Sequence, residues 1–304
     1  MTDVFLSVVI PTRGRSDCVR QTIRDLAAQD YPHFDIWLVD QNETPIQGLS
    51  EFDGKVKLYH ETMPPLGSHA GRNHAIFKTG AAVCVFVDDD VRVAAGFLAA
   101  HATRYAGSKK TLASIAGRVV QPRDGYTEEQ MRAMGSPARY NKWLGRVSGN
   151  FVGAEAAAVH HVHECNFSAK TEVLRAIGGF NEEFRGNAYF EGADLTLRMM
   201  KAGYEVQYRP EIVLTHLQEG WGGNRVEKKD EHTYWYMRNY GLLNSLHMSK
   251  VGFLFFSIYS FGYVLAKALK NGKLDIAVQG LRGWLAGMKY FLPGSKRLQI
   301  RSHL

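Results

Sequence analysis

Apolar and polar positions follow two rhythms along this chain. Residues 4–10, VFLSVVI, form a β-branched apolar run closed by Pro11, the pattern of a parallel strand buried on both faces. After the turn PTRGR, Val19, Ile23, Leu26 and Ala27 recur at helical spacing, so a strand–loop–helix unit opens the chain. A second strand over 35–39 ends at Asp40, a shorter one covers 56–59, and a Pro/Gly turn leads into a helix over 69–78. Residues 82–87 then run apolar into Asp88, Asp89 and Asp90. The order is that of an α/β fold, and its polar residues gather where strands end, which is where open α/β sheets bind ligands.

The second half reads less regularly. A strand over 114–120 precedes a polar stretch, 121–149, expected as a long loop with a short helix. A helix over 170–177 stops at Gly178–Gly179, another over 194–202 stops at Gly203, and two strands follow over 204–209 and 212–217. Residues 251–266 carry no formal charge, but sixteen is short of the roughly 18–20 a bilayer-spanning helix needs, and Ser257, Tyr259, Ser260 and Tyr263 interrupt the run. Two readings stay open for this segment: an interfacial membrane surface, or a helix pair closing the core or a dimer.

Composition narrows the picture. The 304 residues suit two average domains, or one large α/β domain with a helical appendage. A charged fraction of 22% is ordinary and suggests neither a disordered chain nor a many-span membrane protein. Three scattered cysteines form neither a disulfide framework nor a CxxC metal site, which predicts a reducing compartment. The N-terminus lacks the basic and apolar regions of a secretory signal, so the expected location is cytoplasmic, with a peripheral place on the cytoplasmic membrane face as an extension. The net charge of +7 names no partner, but eight of the last 38 residues are Lys or Arg against one Asp. That points to an anionic membrane face rather than to nucleic acid.

The chemistry gathers around the aspartates. Three consecutive carboxylates repel one another unless solvent or a cation relieves them. Asp88 and Asp90 at a strand terminus, with Asp89 turned to a backbone donor, would suit Mg²⁺ or Mn²⁺ together with a diphosphate; a solvated turn is the alternative. Asp40 could accept a hydrogen bond from a base or ribose, and Arg72 could pair with phosphate or hold an aspartate. The run GSHAGRNHAI has no Walker spacing and no GxGxxG follows the first strand, which weighs against kinase-like and NAD-dependent chemistry.

The segments SVVIPTRGR, Asp40 in LVDQ, GRNHAI, VFVDDD, NFSAKTEVLRAIGGFNEEF and EGADLTLRMMKAGYEV, in this order over about 4–217, resemble the inverting GT-A glycosyltransferases of family 2. The resemblance implies a GT-A fold, a Rossmann-like and mostly parallel sheet flanked by helices, with a C-terminal helical extension. It implies a nucleotide-sugar-binding part over 1–100, an acceptor-binding and catalytic part of the same domain over 101–245, and a helical region over 246–304 that meets a membrane surface or a second copy. The donor is expected to be a UDP, dTDP or GDP sugar and the acceptor a carbohydrate or lipid-linked glycan in surface polysaccharide, glycolipid or glycan assembly. Pro11, Thr12 and Arg13 would border the nucleotide pocket, with Asp40 near the base and Arg72 near the donor, while Gly149–Asn150 and Asn166 to Ser168 would be donor- or acceptor-pocket loops with Asn166 the best polar candidate. Asp88, Asp89 and Asp90 match the donor and metal motif, with Asp90 the more direct metal contact and His216 completing the site. Trp221 with Gly222 and Gly223 suggests a lid. Where the family carries Glu–Asp–x–Asp this chain has Glu191–Gly192–Ala193–Asp194, so the usual base position is glycine. Glu191 or Asp194 is then the candidate catalytic base, and a catalytically inactive nucleotide-sugar-binding protein is the alternative. A nucleotidyltransferase is a third reading, disfavoured by the missing glycine-rich basic loop.

Overall fold

A strand with apolar side chains on both faces needs a helix layer on each side, and the computed structural model supplies both. It describes residues 4–122, 125, 127–134, 138–218, 229–271 and 274–288. Strands β1 (Leu6–Thr12), β2 (Phe34–Asp40), β3 (Leu58–Thr62) and β4 (Val83–Val87) run parallel in the order β3-β2-β1-β4. Leu6, Val8, Ile10, Ile36 and Leu38 share one core with Val19, Ile23 and Leu26 of α1 (Ser16–Ala27). The alternate positions Val9, Trp37, Val39 and Phe86 face a second core with Ala75 and Ile76 of α2 (Ser68–Lys78). The period of two thus sorts each strand between two layers. β1 runs through Pro11 rather than stopping there. Its pairing with β4 ends at Val9, so the missing proline N–H falls where β1 has already left that neighbour.

The rest of the sheet sets the site's edge. After β5 (Val91–Val93) and α3 (Phe97–Tyr105) come β6 (Leu112–Val120), the short α4 (Glu128–Ala133), the hairpin β7 (Arg139–Asn141) and β8 (Arg146–Ser148), and the two-residue β9 (Ala157–Ala158). β10 (Asn166–Lys170) lies antiparallel between β4 and β6, and β11 (Glu205–His216) runs parallel to β6 with β5 antiparallel at its far side. The sheet is mixed but mostly parallel. The ends of β1, β2, β4 and β11 and the start of β10 therefore share one edge.

Three expectations change. The two strands over 204–209 and 212–217 are one, β11, whose register against β6 shifts between Arg209 and Val213 to accommodate Pro210. Part of 121–149 forms the β7–β8 hairpin beside α4. After α5 (Thr171–Ala176), helix α6 (Glu191–Lys201) begins three residues earlier than expected, because Phe190 adopts a left-handed conformation (φ 72°) and starts the helix without a side-chain cap.

Helices α7 (Lys229–His247), α8 (Lys250–Asn271) and α9 (Leu274–Met288) form the C-terminal extension. α7 and α9 pack backbone against backbone: a Cβ at Gly283 would stand 2.2 Å from the Tyr234 carbonyl oxygen, and one at Gly287 2.3 Å from that of Arg238. The extension is tied to the sheet domain by Tyr140 Oη donating to Asn244 Oδ1 at 2.9 Å and by a small core of Tyr140, Phe184, Ala193, Leu242 and Leu243. Among the described residues, no helix is long and apolar enough to cross a membrane.

Candidate active site

At the shared edge the chain turns through its three aspartates, and each takes a different environment. Asp89 is withdrawn from water, accepts a hydrogen bond from Thr12 Oγ1 at 2.8 Å and forms an ion pair with Arg15 at 2.6 Å. These are side-chain donors, not the backbone donor expected from sequence, because β1 ends directly beside the turn. Burial raises the Asp89 carboxyl to about 7 against the pull of Arg15 and Thr12. Thr22 Oγ1 pins the turn by donating to the carbonyls of Asp89 and Val91, each at 3.0 Å. Asp90 is fully buried and meets Arg15 and, at 3.2 Å, His216 Nε2. Asp88 keeps 26% side-chain exposure, accepts from Arg72 Nη2 at 3.0 Å, and has its other oxygen 3.9 Å from His216 Nε2.

Asp88, Asp90 and His216 each offer one ligand atom, and these lie within 4.8 Å of one another. Two carboxylate oxygens and an imidazole, open to solvent on the Asp88 side, fit a hard divalent cation that takes its remaining ligands from phosphate or water. Burial would lower the His216 pKa, but the hydrogen bond to Asp90 and the charges of Asp88 and Asp90 raise it above its usual value. The pair of aspartates therefore already attracts positive charge to this point.

The other expected pocket residues divide. Pro11 and Thr12 close β1 alongside Asp40, and Arg13 is exposed on the turn that follows. Asp40 is fully buried and accepts from Asn42 N (2.9 Å), Asn42 Nδ2 (2.7 Å), Ile46 N (2.8 Å) and His60 Nε2 (2.9 Å). Desolvation would raise its pKa, yet the Ile46 and Asn42 amides with the His60 and Asn42 side chains hold it below the usual range. Its carboxylate organises the loop after β2. Asn166 sits opposite Val87, next to Asp88, but its amide donates to the carbonyls of Arg118 (2.7 Å) and Ile212 (3.1 Å) and brackets the β6–β11 irregularity. Gly117 is required there, since a Cβ would lie 2.4 Å from Asn166 Nδ2. Asn150 turns its carbonyl oxygen to the Val152 and Gly153 amides. Trp221, Gly222 and Gly223 lie outside the described residues.

Arg72 is the hub of the acidic side. It is 2% exposed, binds Asp88 and Glu191 together, donates to Ser68 Oγ at 3.3 Å, and lies 5.4 Å over the Phe180 ring. Of the two outcomes open for this arginine, holding an aspartate is what the geometry shows. Glu191 is also fixed by Ser68 Oγ at 3.2 Å and His69 at 3.2 Å. Burial opposes its ionisation, but Arg72, His69 and Ser68 together hold its pKa below the usual range. Asp194, one turn further along α6, points away to Arg198 Nε and His247 Nε2, both at 2.8 Å. Glu191 thus joins the aspartate edge and Asp194 does not.

Sequence reasoning passed over Arg15, Ser68, His69, His247 and Glu164. Glu164 is half-buried and accepts a hydrogen bond from Gly192 N at 2.9 Å. Its signal in the text is a single acid in the segment HVHECNF, where β10 begins.

Residues 7–175 match the family model described as glycosyl transferase family 2. A Campylobacter jejuni GalNAc(5)-diNAcBac-PP-undecaprenol beta-1,3-glucosyltransferase is 22% identical over 192 residues; the match covers 60% of this chain and 56% of that protein's length. S. aureus TarS 1–349, solved in complex with UDP-GlcNAc, superposes with a TM-score of 0.62 at 16% identity, over 95% of this chain and 82% of that one. The mannosyltransferase PcManGT from Pyrobaculum calidifontis, solved with GDP-Man and Mn²⁺, gives 0.54 at 16% identity, over 95% and 85%.

Proposed function

The chain belongs to glycosyl transferase family 2, and from that premise we propose that it transfers a sugar from a nucleotide-diphosphate donor to an acceptor hydroxyl with inversion at the anomeric carbon. The observation that carries this reading is the convergence of Asp88, Asp90 and His216 at the edge where β1, β2, β4 and β11 end. Asp88, Asp90 and His216 would hold Mg²⁺ or Mn²⁺, which when bound neutralises charge growing on the leaving diphosphate. Arg15 fixes Asp89 and Asp90, and Arg72 fixes Asp88, so the donor edge keeps one geometry while carrying an excess of negative charge. Pro11, Thr12 and the exposed Arg13 line the approach for the nucleotide, and Asp40 supports that approach through the loop it organises.

The acceptor is proposed to be a glycan, lipid-linked in keeping with the undecaprenol-linked substrate in the Campylobacter relative's name. The described surface supports a membrane-proximal place. On α8, Val251, Leu254, Phe255, Ile258 and Tyr259 are 57–71% exposed along one stripe. Trp143, 71% exposed at the β7–β8 turn, carries Lys142 over its ring, and its carbonyl lies 3.9 Å from where a Gly252 Cβ would stand. Aromatic and aliphatic groups with adjoining lysine suit an anionic lipid interface. Flotation with phosphatidylglycerol vesicles should recover the protein, and Phe255→Asp should release it. A fall in solution mass for that variant without vesicle binding by the parent would assign the face to a second copy instead.

A thermal-shift screen of UDP-, GDP- and dTDP-sugars with and without Mn²⁺ tests the donor assignment. At about 100 times Kd, a donor that binds only the folded state adds about 2.7 kcal/mol of stability. At least one nucleotide sugar should raise Tm in a Mn²⁺-dependent way, and silence across the panel would remove the reading.

A further inference from the structure

Attack by a hydroxyl on an anomeric carbon needs a group that removes its proton within about 3 Å. Three acids lie on or against the first turns of α6. Glu191 is 3% exposed and held by Arg72, Ser68 and His69, and Asp194 is fully buried between Arg198 and His247. Neither presents an oxygen to the crevice. Glu164 differs. It precedes β10 at the same edge as Asp88, it is half-buried, and its carboxylate accepts a hydrogen bond from Gly192 N rather than from a charged side chain.

The space at Gly192 explains how this acid reaches the site. A Cβ built there would lie 2.4 Å from Glu164 Oε1, 2.9 Å from its Cδ and 3.1 Å from its Cγ. The glutamate side chain therefore fills the volume that any side chain at 192 would enter. An aspartate at that position would bring its carboxylate to within about one side-chain bond length or two of where the Glu164 carboxylate already stands. Arg72 links the two halves, with Nη2 bound to Asp88 and 3.5 Å from the Glu164 carbonyl oxygen.

We propose that Glu164 is the catalytic base, reaching across the side-chain-free position Gly192 to accept the acceptor proton. This rests on the nucleotide-sugar reading above. In the step, the acceptor oxygen forms its bond to the anomeric carbon as the bond from that carbon to the diphosphate oxygen breaks. The bonding pair leaves with the nucleoside diphosphate, and the hydroxyl proton passes to the Glu164 carboxylate and then to solvent. Its protonation behaviour agrees: burial, with the nearby charge of Glu191, raises the Glu164 carboxyl above its usual range against the pull of Arg72, while Arg72, His69 and Ser68 hold Glu191 below it. Of the two carboxylates, the raised one is the stronger base.

The test needs no acceptor, because water can take its place. With UDP-GlcNAc or GDP-Man and Mn²⁺, whichever donor raises Tm, slow donor hydrolysis is followed in the parent and four variants. Glu164→Gln should lose about 10²–10⁴-fold in rate with the donor-induced shift in Tm kept. Glu164→Ala should lose as much, and Glu164→Ala with Gly192→Asp should recover at least 10-fold of it, because the alanine clears the three atoms nearest the new Cβ. Gly192→Asp alone should be impaired, since two carboxylates then compete for one space. A merely structural Glu164 would not be rescued by a carboxylate from the neighbouring helix. Wild-type hydrolysis by a folded, donor-binding Glu164→Gln protein, or a double variant no faster than Glu164→Ala, would overturn the assignment while leaving the transferase reading intact. Absence of donor binding by the parent protein would sink that reading first and the base assignment with it.

Discussion

Asp90→Asn should abolish metal-dependent turnover, with kcat lower by about 10³-fold, the scale expected when a principal source of transition-state charge stabilisation is removed. Asp90 is fully buried, pairs with Arg15 and faces His216, and the substitution keeps its shape while deleting its charge. Arg15 still has Asp89 as a partner, so the turn is expected to remain folded. Asp88→Asn offers a second approach from the solvent side, where 26% exposure limits the structural cost. In both variants, Mn²⁺ titration of donor hydrolysis should show activation lost, and the rise in Tm caused by Mn²⁺ in the parent should disappear. Unchanged Mn²⁺ activation in either would remove that aspartate from the metal site.

Asp194→Ala should instead act on stability. Removing the carboxylate leaves Arg198 and His247 without their shared partner in a buried place, which costs about 3–5 kcal/mol. For a chain of this size that is a fall in Tm of roughly 5–8 °C. The sign with pH follows from the depressed carboxyl: burial opposes its charge, but Arg198 and His247 outweigh that and hold the folded pKa below the usual aspartate range. The contribution is complete above the unfolded pKa and is lost as pH falls through the folded one, so it vanishes only in acid below about 4. Asp194→Asn should keep most of the parent's hydrolysis rate per folded molecule. Loss of turnover with full stability in that variant would return Asp194 to the list of bases.

These two outcomes differ because Asp194 and Asp90 play different parts, and the sequence displays only one of them. The strands β1, β2 and β4 are legible because β-branched runs buried on both faces leave a continuous apolar signature that ends in polar residues. The aspartate turn is legible for the same reason. β11 reads as two strands because Pro210 interrupts its pattern, and only the Asn166 bracket and the missing Cβ at Gly117 make one irregular strand possible. Asp194 looks like a helix start because no usual capping residue precedes it; the left-handed Phe190 that begins α6 carries no local signal. Glu164 is hidden for a deeper reason. Its partner is an absence, the side chain that Gly192 lacks 28 residues later, and only the folded chain brings the two together.

The C-terminal helices show the same division. Their apolar stripe is plain in the sequence, but the ties to the sheet domain through His247 and Asn244 depend on how α7 crosses α6 and the β7–β8 hairpin. The extension therefore supports the helix that carries Glu191 and Gly192, and damage to it should reach the site through α6.

The most direct measurement of the central claim is the anomeric configuration of the first-formed product. With an α-linked nucleotide sugar, Mn²⁺ and the parent protein, early-time proton NMR should show the released or transferred sugar in the β configuration, before mutarotation mixes the two. A product that first appears in the α configuration, from a protein whose Mn²⁺-dependent donor binding is established, would contradict single displacement at this aspartate edge.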